Sequence, residues 1–159
     1  MIKKKTSNSS KILAQNRKAS FNYFFKEEYE AGIVLQGSEI KSLKNTKANI
    51  QEAFVEFDKD GELYLANSHI QSYKGIQLFN HKPTRKRKLL LHKTEIKKMI
   101  GKVKEKGLTI VPIAIYLNSR NIAKVKIAVA QGKKLYDKRA SVKEREWKRD
   151  KQRMEKIDY

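Results

Sequence analysis

The chain has 159 residues, room for one domain with a real core but not comfortably for two. Its 37 Lys and Arg against 17 Asp and Glu leave a formal charge of +20, a balance that disfavours compaction unless a polyanion supplies counter-charge. The absence of cysteine excludes disulfides, thiolate metal sites and cysteine nucleophiles, and no stretch approaches the ~20 apolar residues that span a bilayer.

Residues 1–15 read as a flexible basic arm, in which Ile12-Leu13-Ala14 is too short for a secretory signal, so a cytoplasmic location is expected. Phe21 to Phe25 reads as an aromatic-rich strand that Glu27 to Leu35 continues past a bend. Ser38 is the expected N-cap of a short helix with Ile40 and Leu43 on its inner side. Ile50 to Asp58 alternates apolar and polar residues, and Asp60-Gly61 predicts a hairpin turn into Glu62 to Asn67. Leu78 to Arg87 is a basic loop. Lys88 to Lys106 predicts the long helix of the body, with Leu89, Leu90, Ile96, Met99, Ile100 and Val103 at three- and four-residue steps and Gly107 as its stop. Leu108 to Leu117 and Ile122 to Ala130 read as strands joined by a turn at 118–121, with Val125, Ile127 and Val129 inward. The fold class that follows is mainly β: an OB-like antiparallel β-barrel over residues 16–130 with one long and one short helix.

Residues 131–159 form a basic tail. Eleven of them are Lys or Arg and six are Asp or Glu, leaving too little apolar area to order the segment alone, so it is expected to be disordered when free. Its register nevertheless hides a helix. Ala140, Trp147 and Met154 recur every seven residues, and Glu144 and Lys148 stand at i,i+4. Residues 1–130 hold 26 basic and 11 acidic residues, so the body is itself cationic enough to bind a polyanion.

Lys82 to Lys88, which includes Arg85 and Arg87, concentrates cations and points to phosphate contact. Lys124 and Lys126 share one sheet face, where they would track a nucleic-acid backbone or simply face solvent. Tyr23, Tyr73, Phe79 and Tyr116 offer stacking surfaces, although aromatics at strand positions commonly serve the core. His69, His81 and His92 lack the spacing of a metal site, and no nucleophile motif or glycine-rich phosphate loop accompanies Glu27, Glu28 and Glu30. Neither an enzyme, a metal nor a cofactor is expected. In an RNA-binding protein such carboxylates accept hydrogen bonds from base amino groups or ribose hydroxyls, or hold an Arg in place.

These residues fall in the order of a known family. Glu30-Ala31-Gly32, Gln36 to Leu43, Lys47 to Ile50, Arg85 to His92, Lys124 to Ile127, Gly132 to Lys134, Asp137 to Arg139 and Arg145 to Trp147 resemble the bacterial SmpB (small protein B) family. Lys82 stands where an acidic residue is expected, and Tyr136 where His is usual. The resemblance implies a barrel that grips the tRNA-like domain of tmRNA. It also implies a tail that becomes helical in the decoding site and mRNA channel of a stalled ribosome, and elongation factor Tu as a partner in delivery. Carried over, it implies Glu30, Glu39, Lys41, Asn49, Leu91, His92, Lys124 and Lys126 as RNA contacts, with Arg85, Arg87, Lys133 and Lys134 beside them. Asp137, Lys138, Arg139, Trp147 and Met154 are the expected ribosome-engaging residues. A general ribosomal or structural RNA-binding protein is the rival reading.

Overall fold

The computed structural model describes residues 11–46, 48–76, 78–104 and 107–155; the first ten residues of the expected arm lie outside them. In chain order the elements are β1 (Lys11–Gln15), α1 (Ala19–Asn22), β2 (Tyr23–Ile33), α2 (Gly37–Asn45), β3 (Phe54–Phe57), β4 (Leu63–Ala66), β5 (Arg87–Leu90), α3 (Lys93–Val103), β6 (Leu108–Leu117), β7 (Ala123–Gly132) and α4 (Leu135–Met154). All seven strands join one antiparallel sheet in the order β1-β6-β7-β2-β5-β4-β3. The sheet curls until β3 lies alongside β6.

The spine is the β2–β7 ladder, in register from Tyr23↔Gly132 to Gly32↔Lys124 with a bulge between Phe25 and Glu27. The bulge adds a residue on one side, so the inward and outward faces of β2 exchange there. Pro112 interrupts β6 at a second bulge, between Pro112 and Ala114, where its missing N–H costs no ladder bond. Asn16 fastens this point. Its amide donates to the Pro112 carbonyl at 3.2 Å, and its Oδ1 accepts from the Ala19 amide at 3.1 Å to start α1.

Two hairpins share one construction. Asp58 Oδ1 accepts the amides of Asp60 and Glu62 at 3.0 and 2.9 Å, and Asn118 Oδ1 accepts those of Arg120 and Ile122 at 3.0 and 2.9 Å. The left-handed residue is Gly61 at φ 76° in the first and Asn121 at φ 56° in the second, the two residue types that reach this region most readily.

The core holds Leu63, Leu65, Leu89, Ile110, Ile115, Val125, Ile127 and Val129, and Met99 enters it from α3. A second, smaller cluster lies under α1, where Ala19 meets Val111, Ala128 and Ala130. The stretch of β7 from Ile127 to Ala130 is therefore buried on both faces, which strict alternation does not predict.

Three expectations change. Lys11–Gln15 is a strand, not an arm, because β6 supplies its ladder. Phe21 and Asn22 end α1 before the strand begins. The long helix starts at Lys93 and not at Lys88: Leu89 and Leu90 belong to β5, where Leu89 pairs with Leu63 and Ile33. The tail has helical geometry over 20 residues, none of them buried.

Met99→Ala should lower unfolding free energy by roughly 3 kcal/mol in urea titration, as expected for truncating a sealed core side chain. Trp147→Ala, in the exposed α4, should stay within about 0.5 kcal/mol of the parent.

Candidate nucleic-acid interface

The β2–β7 ladder sets out one charged outer face. Glu30 lies directly opposite Lys126, and Gly32 opposite Lys124, while Tyr116 of β6 pairs with Lys124 from the other side. Lys126 Nζ contacts Glu28 at 2.5 Å, and Lys124 Nζ stands 3.7 Å from Glu30 Oε1. The other Glu30 oxygen, Oε2, accepts the Tyr116 hydroxyl. Gly32 also pairs with Leu90 of β5, so Leu91 and His92 continue from the same row. Leu91 is half-buried against the core. His92 is exposed and caps α3, its amide donating to Glu95 Oε2 at 3.1 Å. Glu30, Lys124 and Lys126 thus share the outer face of the sheet, whereas Leu91 turns toward the core and His92 lies at the start of α3.

A second group surrounds α2. Glu39 was expected on a surface helix, in contact with RNA; it is fully buried, as is Arg87. Glu39 Oε1 accepts Arg87 Nε at 2.9 Å and Arg85 Nε at 3.2 Å, and Oε2 accepts Arg85 Nη2 at 2.6 Å and the Gln36 amide at 2.7 Å. Every carboxylate lone pair is occupied, so none remains for RNA. Arg87 is equally committed, donating through Nη1 to the Ser68 hydroxyl and carbonyl at 2.8 and 2.9 Å and through Nη2 to Pro83 O at 3.0 Å. Both are corrected from RNA contacts to internal struts, because full burial and a complete set of internal partners leave neither group an accessible atom for RNA. Gln36, not Ser38, is the N-cap of α2. Ser38 instead meets the buried His81 at 2.9 Å from Nδ1, while Nε2 lies 3.1 Å from Ile70 O.

This network leaves Arg85 partly exposed at its rim, with Lys41 exposed on α2 over the Tyr73 ring at 5.9 Å. Asn49 is exposed and bridges to His69 through paired backbone bonds of 2.9 Å. Between Glu62 and Glu95 the sequence holds no acidic residue, while Lys74, Lys82, Arg85, Lys86, Arg87, Lys88 and Lys93 all fall within it. Phe79 is fully exposed in this stretch.

Burial pushes the Glu39 carboxyl up, but the Arg85 hydrogen bond, the Gln36 amide and the charges of Arg87 and Arg85 outweigh it and hold the group below its ordinary value. Burial pushes the Tyr116 phenol up, aided by its bond to Glu30, so it remains a donor at neutral pH.

At the start of the tail, the Lys133 amide donates to Asn22 O at 2.9 Å and its Nζ to Ser20 O at 3.0 Å, with the ammonium 4.7 Å over Phe24. Lys134 caps α4, its amide donating to Asp137 Oδ2 at 3.2 Å. Lys138, Leu135, Arg139 and Val142 gather beside Phe21, with Arg145 5.9 Å over its ring. Ala140, Trp147 and Met154 are exposed.

A family model described as SmpB protein matches residues 13–157. The chain belongs to the SmpB family. An SsrA-binding protein of Wolbachia pipientis subsp. Culex pipiens (strain wPip) is 56% identical over 145 residues, 91% of this chain and 97% of that one. An SsrA-binding protein of Rickettsia canadensis is 53% identical over 144 residues, 91% and 94% of the two chains. A solved chain described as "tmRNA-SmpB: a journey to the center of the bacterial ribosome" superposes with a TM-score of 0.64 at 50% identity, covering 76% of this chain and 84% of that one. In this SmpB-family chain the outer face of β2, β6 and β7 is the exposed surface where carboxylate, phenol and ammonium groups converge. Sequence reasoning missed the Tyr116–Glu30 pair, since two bulges hide the register that joins them. Among the described residues no group of three or more His, Asp or Glu could hold a metal ion, and no helix is long and apolar enough to cross a membrane.

Glu39→Ala should destabilise the body by about 3–5 kcal/mol, because it strands a buried guanidinium. The parent protein should keep the contribution of Glu39 above the ordinary carboxylate value of 4.5 and lose it as pH falls through the lower folded value. Chemical denaturation between neutral pH and pH 3 checks both, and Glu39→Gln should flatten that loss.

Proposed function

We propose that this protein binds the tRNA-like domain of tmRNA through its β body and delivers it to stalled ribosomes, where the tail engages the decoding site and mRNA channel. Its activity is recognition and delivery, not catalysis; elongation factor Tu joins the delivery complex, and the setting is the cytoplasm. The observation that carries the reading is family membership across residues 13–157, coinciding with an exposed sheet face that sets Glu30 among Lys124 and Lys126. Lysines at such a face neutralise phosphates irrespective of sequence, whereas a carboxylate repels them and binds only donors.

Residues 16–130 act as the RNA-binding unit, and β7 carries that unit on to Gly132. The tail of residues 131–159 works separately. We propose that α4 is marginal off the ribosome, since a helix that buries nothing has little besides propensity to hold it, and that Trp147 and Met154 meet ribosomal RNA. Lys41, Asn49, Arg85, Leu91, His92, Lys133 and Lys134 complete the tmRNA-facing set, and Asp137, Lys138 and Arg139 the ribosome-facing one.

Ending the chain after Lys134 should leave tmRNA affinity within about twofold in a filter-binding titration and abolish tagging of nascent chains on stalled ribosomes. Full-length Trp147→Ala should impair tagging far more than Arg149→Ala. Lys151 is not a neutral control, because its ammonium lies 5.6 Å over the Trp147 ring. Equal, mild defects from both substitutions would show the tail acting as diffuse charge.

A further inference from the structure

Beside Glu30 the outer face dips into a hollow of about 510 Å³, lined by Ile12, Ala114, Tyr116, Asn118 and Lys126 with Glu30 itself. The carboxylate sits in an electrostatic trap. Lys126 lies directly opposite it on β7 and Lys124 stands one row away, so an unrestrained side chain would swing onto an ammonium, and the two would neutralise each other. The pairing is only partial. Lys126 is drawn to Glu28 at 2.5 Å, Lys124 makes a long ion pair of 3.7 Å with Glu30 Oε1 that falls short of a hydrogen bond, and the phenol of Tyr116 reaches diagonally over β7 to hold Oε2. Tyr116 is on rigid backbone, paired with Ile12 on one side and Lys124 on the other, so the hydroxyl is a fixed donor.

We propose that Tyr116 is a positioning residue for RNA recognition: it clamps Glu30 so that Oε1 stays beyond hydrogen-bond reach of Lys124, where it accepts a hydrogen bond from an RNA donor group beside the hollow. This rests on the tmRNA reading above and adds to it the residue that separates recognition from plain charge attraction. An oriented carboxylate oxygen accepts from a ribose 2′-hydroxyl or a base amino group and repels phosphate. The adjacent Lys124 and Lys126 supply the phosphate attraction. Without the phenol, Glu30 closes on Lys124, and the face loses its acceptor together with a cation.

The test titrates the tRNA-like domain of tmRNA, with tRNA as competitor, into full-length protein and the variants Tyr116→Phe, Glu30→Gln and the double variant, at several salt concentrations. Tyr116→Phe should weaken binding about tenfold, the scale of one charge-assisted hydrogen bond. The slope of log affinity against log salt should fall by no more than about one phosphate contact, since Lys124 alone is withdrawn. The double variant should bind no more weakly than Glu30→Gln alone, and thermal unfolding of Tyr116→Phe should match the parent. Unchanged affinity in Tyr116→Phe, additive losses in the double variant, or an affinity loss matched by a lowered unfolding temperature each overturn the assignment. RNAs carrying single 2′-deoxy residues or single inosine-for-guanosine changes identify the donor: the Tyr116→Phe penalty disappears on the RNA that lacks it, and a penalty that persists on all of them also overturns it. A parent protein that binds tRNA as well as tmRNA contradicts the tmRNA reading itself, whatever Tyr116→Phe does.

Discussion

Everything else in the molecule is arranged around the β2–β7 ladder. It joins β2, on which Ala31 is fully buried between the half-buried Tyr29 and Ile33, to a strand whose inner residues are Val125, Ile127 and Val129, all fully buried. Hydrophobic burial on that inner face fixes the register, because a one-residue slip would turn these side chains to solvent and bring Lys124 and Lys126 into the core. The outer face inherits that register at no further cost. Its charged pattern of Glu28, Glu30, Lys124 and Lys126 is thus a by-product of core packing, which holds these side chains on a rigid backbone.

The second constraint is the trio of Glu39 and Arg87, both fully buried, and Arg85 at its half-exposed rim. Transfer of these charges from water is costly, and an apolar replacement of equal volume is often as stable. What the trio adds is connectivity: Glu39 belongs to α2, Arg87 to β5, and Ser68 and Pro83 carry the intervening segments. One side chain thereby ties four pieces of backbone whose local sequence contains little else to hold them, and sets the basic stretch that precedes β5 against the body. The same arrangement explains why part of the cationic run never meets solvent.

Much of the architecture was legible in the sequence where alternation is long and uninterrupted. β6, β7 and both hairpin turns followed from apolar spacing and from Asp60-Gly61 and the turn at 118–121. β1 was not legible, as Ile12-Leu13-Ala14 becomes a strand only because β6 is there to pair with it. β5 was mistaken for helix because Leu89 and Leu90 fit the spacing of the helix that follows; the cap at His92, with Glu95 three residues on, marked the true start in an unusual residue type. On α2 the apolar pattern pointed Ile40 inward, yet Ile40 is 37% exposed and Glu39 fully buried. A buried charge is selected by distant Arg partners, and no local pattern announces it. Of the RNA-facing candidates, Glu30, Lys124 and Lys126 were legible as a set, while their organiser Tyr116 was hidden behind the bulges in β2 and β6.

The tail obeys different physics. α4 meets the body around Phe21 and leaves Trp147 and Met154 63% and 67% exposed. The claim on which all of this depends is that the chain selects tmRNA from the RNA of a cell. Sequencing the RNA that remains with the tagged full-length protein after a high-salt wash tests it most directly. The account predicts tmRNA enriched far above its cellular share, and ribosomal and transfer RNA recovered merely in proportion to their abundance would contradict it.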